Sequence, residues 1–115
     1  MFNFFSKNVS QIEADEVKKA LDEKEKVIML DVRTPMEYEK GHIKDSINLS
    51  VENFSDKNKV EQVVSDKEAT IYVYCLSGSR SATAVQAMSA YGYKNAFSMK
   101  SGVLAWRAKG YPLSE

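Results

Sequence analysis

Short apolar runs alternate with helix-like segments along this chain, and that alternation limits its fold more than any other feature. Val27-Ile28-Met29-Leu30 and Ile71-Tyr72-Val73-Tyr74 are unbroken runs of apolar, β-branched and aromatic residues. Such runs read as strands buried on both faces. Ile47-Asn48-Leu49 and Ala96-Phe97-Ser98-Met99 are two shorter strand candidates. Between the strands, Ala14, Val17, Ala20 and Leu21 form a helical stripe over 14–22. Val60, Val63 and Val64 do the same over 56–65, with Ser55 in place to cap that helix. Thr34-Pro35-Met36-Glu37 is a capping box with proline at the first helical position, and Gly41 ends the short helix it starts. A helix over 81–91 buries Ala84, Ala87, Met88 and Tyr91 and has Gly92 as its C-cap, and a last short helix spans 102–108. Strands separated by helices predict βαβ units and a parallel sheet covered on both faces, an α/β fold. Ligands of such sheets bind beyond the carboxyl ends of the strands, and Cys75 stands at one of those ends.

The chain has 115 residues, which predicts one domain over 1–115, with 1–8 as a frayed or edge-covering segment. Its 43% hydrophobic and 28% charged residues are ordinary globular proportions and argue against global disorder. Sixteen Lys and Arg balance sixteen Asp and Glu. A dedicated nucleic-acid binder needs an excess of cations, so no nucleic-acid partner is expected. One cysteine allows no intrachain disulfide, and one cysteine with one histidine cannot build a structural zinc site. No apolar run approaches membrane-spanning length, so no membrane partner is expected. Met1 to Phe5 carry no cationic start and no signal-like apolar run, and the cytoplasm is the expected location.

Cys75 has chemical neighbours. It follows the strongest strand and precedes Leu76-Ser77-Gly78-Ser79-Arg80, a small-residue loop leading into a helix. Backbone N–H groups at a helix start have no intrahelical partners, and in a tight loop they converge into an anion-binding nest. A thiol there ionises as a stabilised thiolate, its pKa falling from ~8.5 to roughly 3.5–7.5. Gly78 lets the backbone turn, Ser77 and Ser79 can add hydroxyl donors, and Arg80 can add a fixed charge or bind carbonyls that shape the loop. The plainer reading of the same residues is a buried thiol at a strand end with a turn behind it.

The chain resembles the rhodanese, or sulfurtransferase homology, family in its single-domain form. Leu30-Asp31-Val32-Arg33-Thr34-Pro35-Met36-Glu37-Tyr38 is similar to the family's Asp-Val-Arg segment and the helix after it. Gly41-His42-Ile43 running to Ile47-Asn48-Leu49 resembles its Gly-His-Ile segment. Cys75 to Arg80 with Ser81 resembles its active-site loop, and Gly102-Val103-Leu104-Ala105-Trp106 with Gly110-Tyr111-Pro112 its C-terminal signature. The resemblance implies a five-stranded parallel sheet flanked by helices on both faces. It implies that Cys75 is catalytic and accepts a sulfane sulfur as a persulfide. Leu76, Ser77, Gly78, Ser79 and Arg80 then cradle the persulfide and the substrate anion, while Asp31 and Arg33 support the site. The partners implied are a small sulfur donor such as thiosulfate or a persulfide, a thiol or cyanide acceptor, and a persulfide-carrying protein. No metal and no organic cofactor is implied. Leu76 stands where many thiosulfate-using members have a basic residue, Lys44-Asp45 where Pro-Gly is common, and Ser101-Gly102 in place of a common Gly-Gly pair.

Two other functions share this loop logic. A cysteine-loop phosphatase or arsenate reductase is one, but only four residues separate Cys75 from Arg80, fewer than in those phosphatases. A non-catalytic interaction module is the other, although such a module is expected to lose the cysteine or the loop glycine. The remaining candidates read as structure. His42 orients a loop, Asp31 and Arg33 pair with each other or with Arg80, and Trp106 packs the last helix. Tyr72, Tyr74, Tyr91 and Tyr93 form core and rim, and Lys57, Lys59 and Lys67 form a solvated face. Phe2, Phe4 and Phe5 cover a sheet edge or fray.

Overall fold

The structure, a computed structural model, describes residues 9–115. The aromatic group at Phe2, Phe4 and Phe5 lies outside the described residues. The elements run β1 (Gln11–Ile12), α1 (Ala14–Asp22), β2 (Ile28–Asp31), α2 (Pro35–Glu39), β3 (Ile47–Asn48), α3 (Lys57–Val63), β4 (Thr70–Tyr74), α4 (Ser79–Ala90), β5 (Asn95–Met99) and α5 (Gly102–Ala108). The strands form one sheet in the order β1-β5-β4-β2-β3, and every pairing is parallel. The strand that ends at Cys75, β4, therefore lies at the centre. Among the described residues no helix is long and apolar enough to cross a membrane.

Successive strand residues face opposite sides, and this rule builds two cores. Leu30, Ile71, Val73 and Ala96 pack with Val60, Ala84, Val85 and Met88 of α3 and α4. Met29, Tyr72, Tyr74 and Met99 pack on the other face with Val17 of α1 and Val103 and Trp106 of α5. Cys75 continues the alternation of Ile71 and Val73, so its side chain falls under α4.

Several boundaries differ from the pattern reading. The two-residue β1 has no apolar run to announce it and exists because β5 offers it a parallel edge. Ser55 does not cap α3. It belongs to a 3-10 turn over Val51–Ser55 and donates to the Glu52 carbonyl (3.1 Å), while Asp56 caps α3 by accepting from Asn58 N–H (3.0 Å). Helix α4 starts at Ser79, so Arg80 sits in its first turn and the loop proper is shorter than its sequence suggests. Tyr91 is the C-cap of α4, with Gly92 following at φ +98°. Lys67 is not merely solvated, because its Nζ donates to the Tyr91 carbonyl (2.7 Å) and pairs with Glu61 (2.8 Å).

The carboxyl edge of the sheet is tied by buried polar bonds. Asp31 and Arg33 form a fork in which Nε meets Oδ1 (3.0 Å) and Nη2 meets Oδ2 (2.7 Å). Arg33 Nη2 also donates to the Gly41 carbonyl (2.7 Å), pinning the segment that leads to β3. The Tyr74 hydroxyl accepts from Ile43 N–H (2.9 Å) and meets Ser46 Oγ (2.9 Å), holding the same segment from below. Asp31 and Arg33 are both buried. Removing one partner of such a pair strands the other charge, at a cost of about 3–5 kcal/mol. Asp31→Ala should therefore lose about that much stability in chemical denaturation, and Asp31→Ala with Arg33→Met should recover part of it. A loss near zero for the single variant would show that the pair does not hold the edge.

Candidate active site

At the end of β4 the chain leaves the sheet, and its carbonyls need new donors. Helix α5 supplies them: Val103 N–H donates to the Cys75 carbonyl (2.9 Å) and Leu104 N–H to the Leu76 carbonyl (3.1 Å). This contact leaves no room at Gly102, where a Cβ would fall 2.2 Å from the Cys75 carbonyl oxygen. Gly78 turns the loop at φ +111° into the start of α4.

With the carbonyls bound on one side, the N–H groups turn to the other. Cys75 Sγ accepts from Gly78 N–H (3.1 Å) and Ser81 N–H (3.4 Å). Ser81 Oγ lies 3.7 Å from the sulfur and also contacts the Gly78 carbonyl (3.1 Å) and Ser98 Oγ (2.7 Å). Burial opposes ionisation of the Cys75 thiol and is the largest single influence on it. The bonds from Ser81, Gly78 and Ser77 together outweigh that burial, so the thiol is more acidic than an ordinary one.

The sulfur is covered, since Cys75 has 0% relative exposure. This matches part of the plainer reading of a buried strand-end thiol. Burial alone does not explain N–H groups aimed at the sulfur. Above it the loop presents Leu76 at 39% exposure, with Ser77 and Ser79 also open to solvent. A groove of about 710 Å³ lies elsewhere, between α1 and the Ile43–Ile47 region, and takes no lining from the loop.

Arg80 does not join Asp31 and Arg33. Its Nη1 and Nη2 meet Glu37 Oε1 (2.8 Å) and Oε2 (3.1 Å), linking α4 to α2. Glu37 Oε1 also accepts from Thr34 N–H (3.0 Å), so the capping box and the loop cation share one carboxylate. The Arg80 bond, aided by Thr34, holds the Glu37 carboxyl at about 2. Asp31 and Arg33 point to the opposite face of the sheet from the sulfur and bond none of the loop. Their place is in the scaffold behind the site. His42 is likewise structural, its ring stacked on Tyr38 (3.7 Å) and its Nδ1 against the Tyr38 carbonyl (2.8 Å). Trp106 is buried and donates from Nε1 to the Pro112 carbonyl (2.8 Å).

Pattern reading missed Ser98 and the second role of Glu37. Ser98 stands within the strand candidate at 96–99, and its phase with Ala96 is the one signal that it faces α4. Glu37 was absorbed by its capping box, and nothing local links it to a residue forty-three positions later.

A cysteine sulfur held by convergent N–H donors at the carboxyl end of a central parallel strand defines an α/β domain with a candidate reactive thiol. Residues 13–109 match the sequence model of the rhodanese-like domain, and the chain belongs to that family. It is 28% identical to a sulfurtransferase of Allochromatium vinosum, covering 91% of this chain and 94% of that one. It is 31% identical to the tRNA uridine(34) hydroxylase of Yersinia enterocolitica over 89% of this chain, but spans only 31% of that protein's length. Among solved structures, a rhodanese-related protein of Thermoplasma volcanium superposes with a TM-score of 0.78 at 30% identity, covering 91% of this chain and 97% of that one.

The acidity of Cys75 can be read on the protein alone. Because the thiol is shifted down, thiolate should persist to lower pH than in an ordinary thiol of pKa ~8.5. Titration by the ultraviolet absorbance of the thiolate should place the midpoint below that of a free cysteine measured alongside and return it upward on Ser81→Ala. An unshifted midpoint would show that burial outweighs the loop donors.

Proposed function

We propose that this protein is a sulfurtransferase that carries sulfane sulfur on Cys75, taking it from a persulfide and passing it to a thiol. The observation that carries this reading is the convergence of Gly78 and Ser81 N–H groups on the Cys75 sulfur. The thiolate attacks the outer sulfur of the donor. A new S–S bond forms to Cys75, the donor S–S bond breaks, and the donor leaves as a thiolate that takes a proton from water. An acceptor thiolate then attacks the outer sulfur, and Cys75 leaves as the thiolate it began as. Sulfur moves twice with no net oxidation, so no metal or organic cofactor takes part. One covalent intermediate between two half reactions gives ping-pong kinetics.

The loop also supports a choice among donors. Thiosulfate is a dianion, and the loop offers it little net charge, because Arg80 is engaged by Glu37 and Leu76 carries none. The rim is apolar instead. Leu76 is 39% exposed, and Leu104, bonded to its carbonyl, is 54% exposed. This rim suits a persulfide on a larger carrier, a small thiol or a protein, better than a small dianion. A lone reduced thiol of this kind fits a cytoplasmic setting.

A phosphatase reading is less well supported, because only four residues separate Cys75 from Arg80 and a loop that short makes a smaller cradle, suited to one sulfur atom more than to a tetrahedral phosphoryl group. The hydroxylase relative is a much longer chain, and its activity has no separate support in this site.

Intact mass after incubation with a small persulfide and with thiosulfate tests the reaction. One added sulfur atom is expected on the wild type and none on Cys75→Ser. No added sulfur from either donor, or sulfur on Cys75→Ser, would overturn the mechanism. Leu76→Arg should lower the KM for thiosulfate several-fold, since an exposed charge gains about 1 kcal/mol at most. That gain should shrink as salt is raised. No response to the new charge would show that Leu76 does not govern donor choice.

A further inference from the structure

Beneath the sulfur lies a pair of buried hydroxyls that the reaction above does not use. Ser98 sits on β5 opposite Val73, one step down the same sheet face that carries Cys75. Both Ser81 and Ser98 are buried. Their oxygens are 2.7 Å apart, and Ser81 Oγ is the hydrogen-bond partner of the Ser98 hydroxyl among the described residues. A hydroxyl in an otherwise apolar core is costly unless it is bonded, and Val73 and Met88 nearby show what that core otherwise prefers.

We propose that Ser98 is a positioning residue of the sulfur site acting through Ser81: its hydroxyl donates to Ser81 Oγ and leaves the Ser81 proton free to turn to the Cys75 sulfur when the thiol ionises. This inference rests on the reading of Cys75 as the sulfur-bearing thiol.

Proton counting supports it. Ser81 Oγ has one proton and two lone pairs. In the thiol state the proton goes to the Gly78 carbonyl, and the oxygen accepts from Cys75 S–H and Ser98 O–H. Ionisation removes the S–H, and the Ser81 proton can then swing to the sulfur. The Gly78 carbonyl is not orphaned by the swing, because Ala82 N–H still donates to it (3.1 Å). Ser81 Oγ is not orphaned either, because Ser98 still donates to it. The chain O–H to O–H to sulfur then runs in one direction, and each bond polarises the next. Once the sulfur carries a second sulfur, the charge moves outward and the Ser81 proton returns to Gly78. The pair therefore favours the free thiolate over the charged carrier.

The ionisable groups around Cys75 are otherwise engaged. Arg80 of α4 is held by Glu37 of α2, and Asp31 and Arg33 at the end of β2 are held by each other. Helix α5 meets Cys75 with Gly102 and Val103, and Lys100, following β5, pairs with Glu13 (3.7 Å). None of these changes when Ser98 loses its hydroxyl.

The test is a double-mutant cycle on the thiolate titration, run on the protein with no sulfur donor. Ser98→Ala should reduce the thiolate fraction below the midpoint by roughly threefold to tenfold, the worth of one buried hydrogen bond. Ser98→Thr, which keeps the hydroxyl, should restore it. In a Ser81→Ala background, Ser98→Ala should change nothing further, because its route to the sulfur is gone. Thermal unfolding of each variant separates this from a packing defect, which would lower stability equally in both backgrounds. An unchanged midpoint in Ser98→Ala, or equal shifts in both backgrounds, would overturn the proposal. Because no donor is present, the relay can fail while sulfur transfer stands, and can hold even if no donor charges Cys75.

Discussion

The bonds from α5 to the carbonyls of Cys75 and Leu76 decide what the rest of the site can be. A chain leaving a central parallel strand loses its neighbours on both sides at once. Its polar groups must then find partners or pull the chain back to water. By taking the carbonyls, Val103 and Leu104 fix which way the peptide planes face. Only then are the N–H groups beyond Cys75 free to point inward at the sulfur. Gly102 makes this approach possible, because any Cβ there would occupy the space of the Cys75 carbonyl. The C-terminal helix is thus part of the thiol's environment although none of its side chains reaches the sulfur.

Charge around the site is arranged in closed pairs. Arg33 is neutralised by Asp31 behind the sheet, and Arg80 by Glu37 in front of it. Desolvation favours loss of the Arg33 charge, yet its bonds to Asp31 outweigh burial and the guanidinium stays firmly charged. The thiolate is consequently stabilised by oriented N–H and O–H groups more than by a neighbouring cation. Dipoles of this kind are short-ranged and barely screened by salt, whereas an exposed cation is felt at a distance and weakened by salt. The site is built to hold charge already on the sulfur rather than to attract anions from solution.

Most of the architecture was legible because it rests on period and burial. The apolar runs at 27–30 and 71–74 read as strands and fall in β2 and β4, and the capping box at Thr34 and Glu37 states its helix outright. The five-stranded parallel sheet followed from the family resemblance. The cysteine loop was legible because a strand, a thiol, small residues and a helix start stand in one stretch of chain. What stayed hidden was non-local. Strand β1 depends on an edge of β5 rather than on its own residues. Glu37 had two bonds to make and showed only the local one. Ser98 could be recognised only once the register set it opposite Val73 and under Ser81. The aromatic group at 2–5 falls outside the described residues.

On the proposed function Cys75 has to serve in two opposed roles, and a thiol that is lowered yet covered suits both. As nucleophile it gains from being ionised but loses intrinsic reactivity as its pKa falls, with a Brønsted slope of about 0.4–0.5. As leaving group it departs faster the more acidic it is. A thiol pushed far down would accept sulfur sluggishly, and an unshifted one would release it sluggishly. Here burial pulls against ionisation while loop donors pull toward it, and the donors prevail. The buried setting therefore works as a counterweight to the loop donors, and in the proposed relay the hydroxyl pair at Ser81 and Ser98 adds a donor that engages when the sulfur bears the charge.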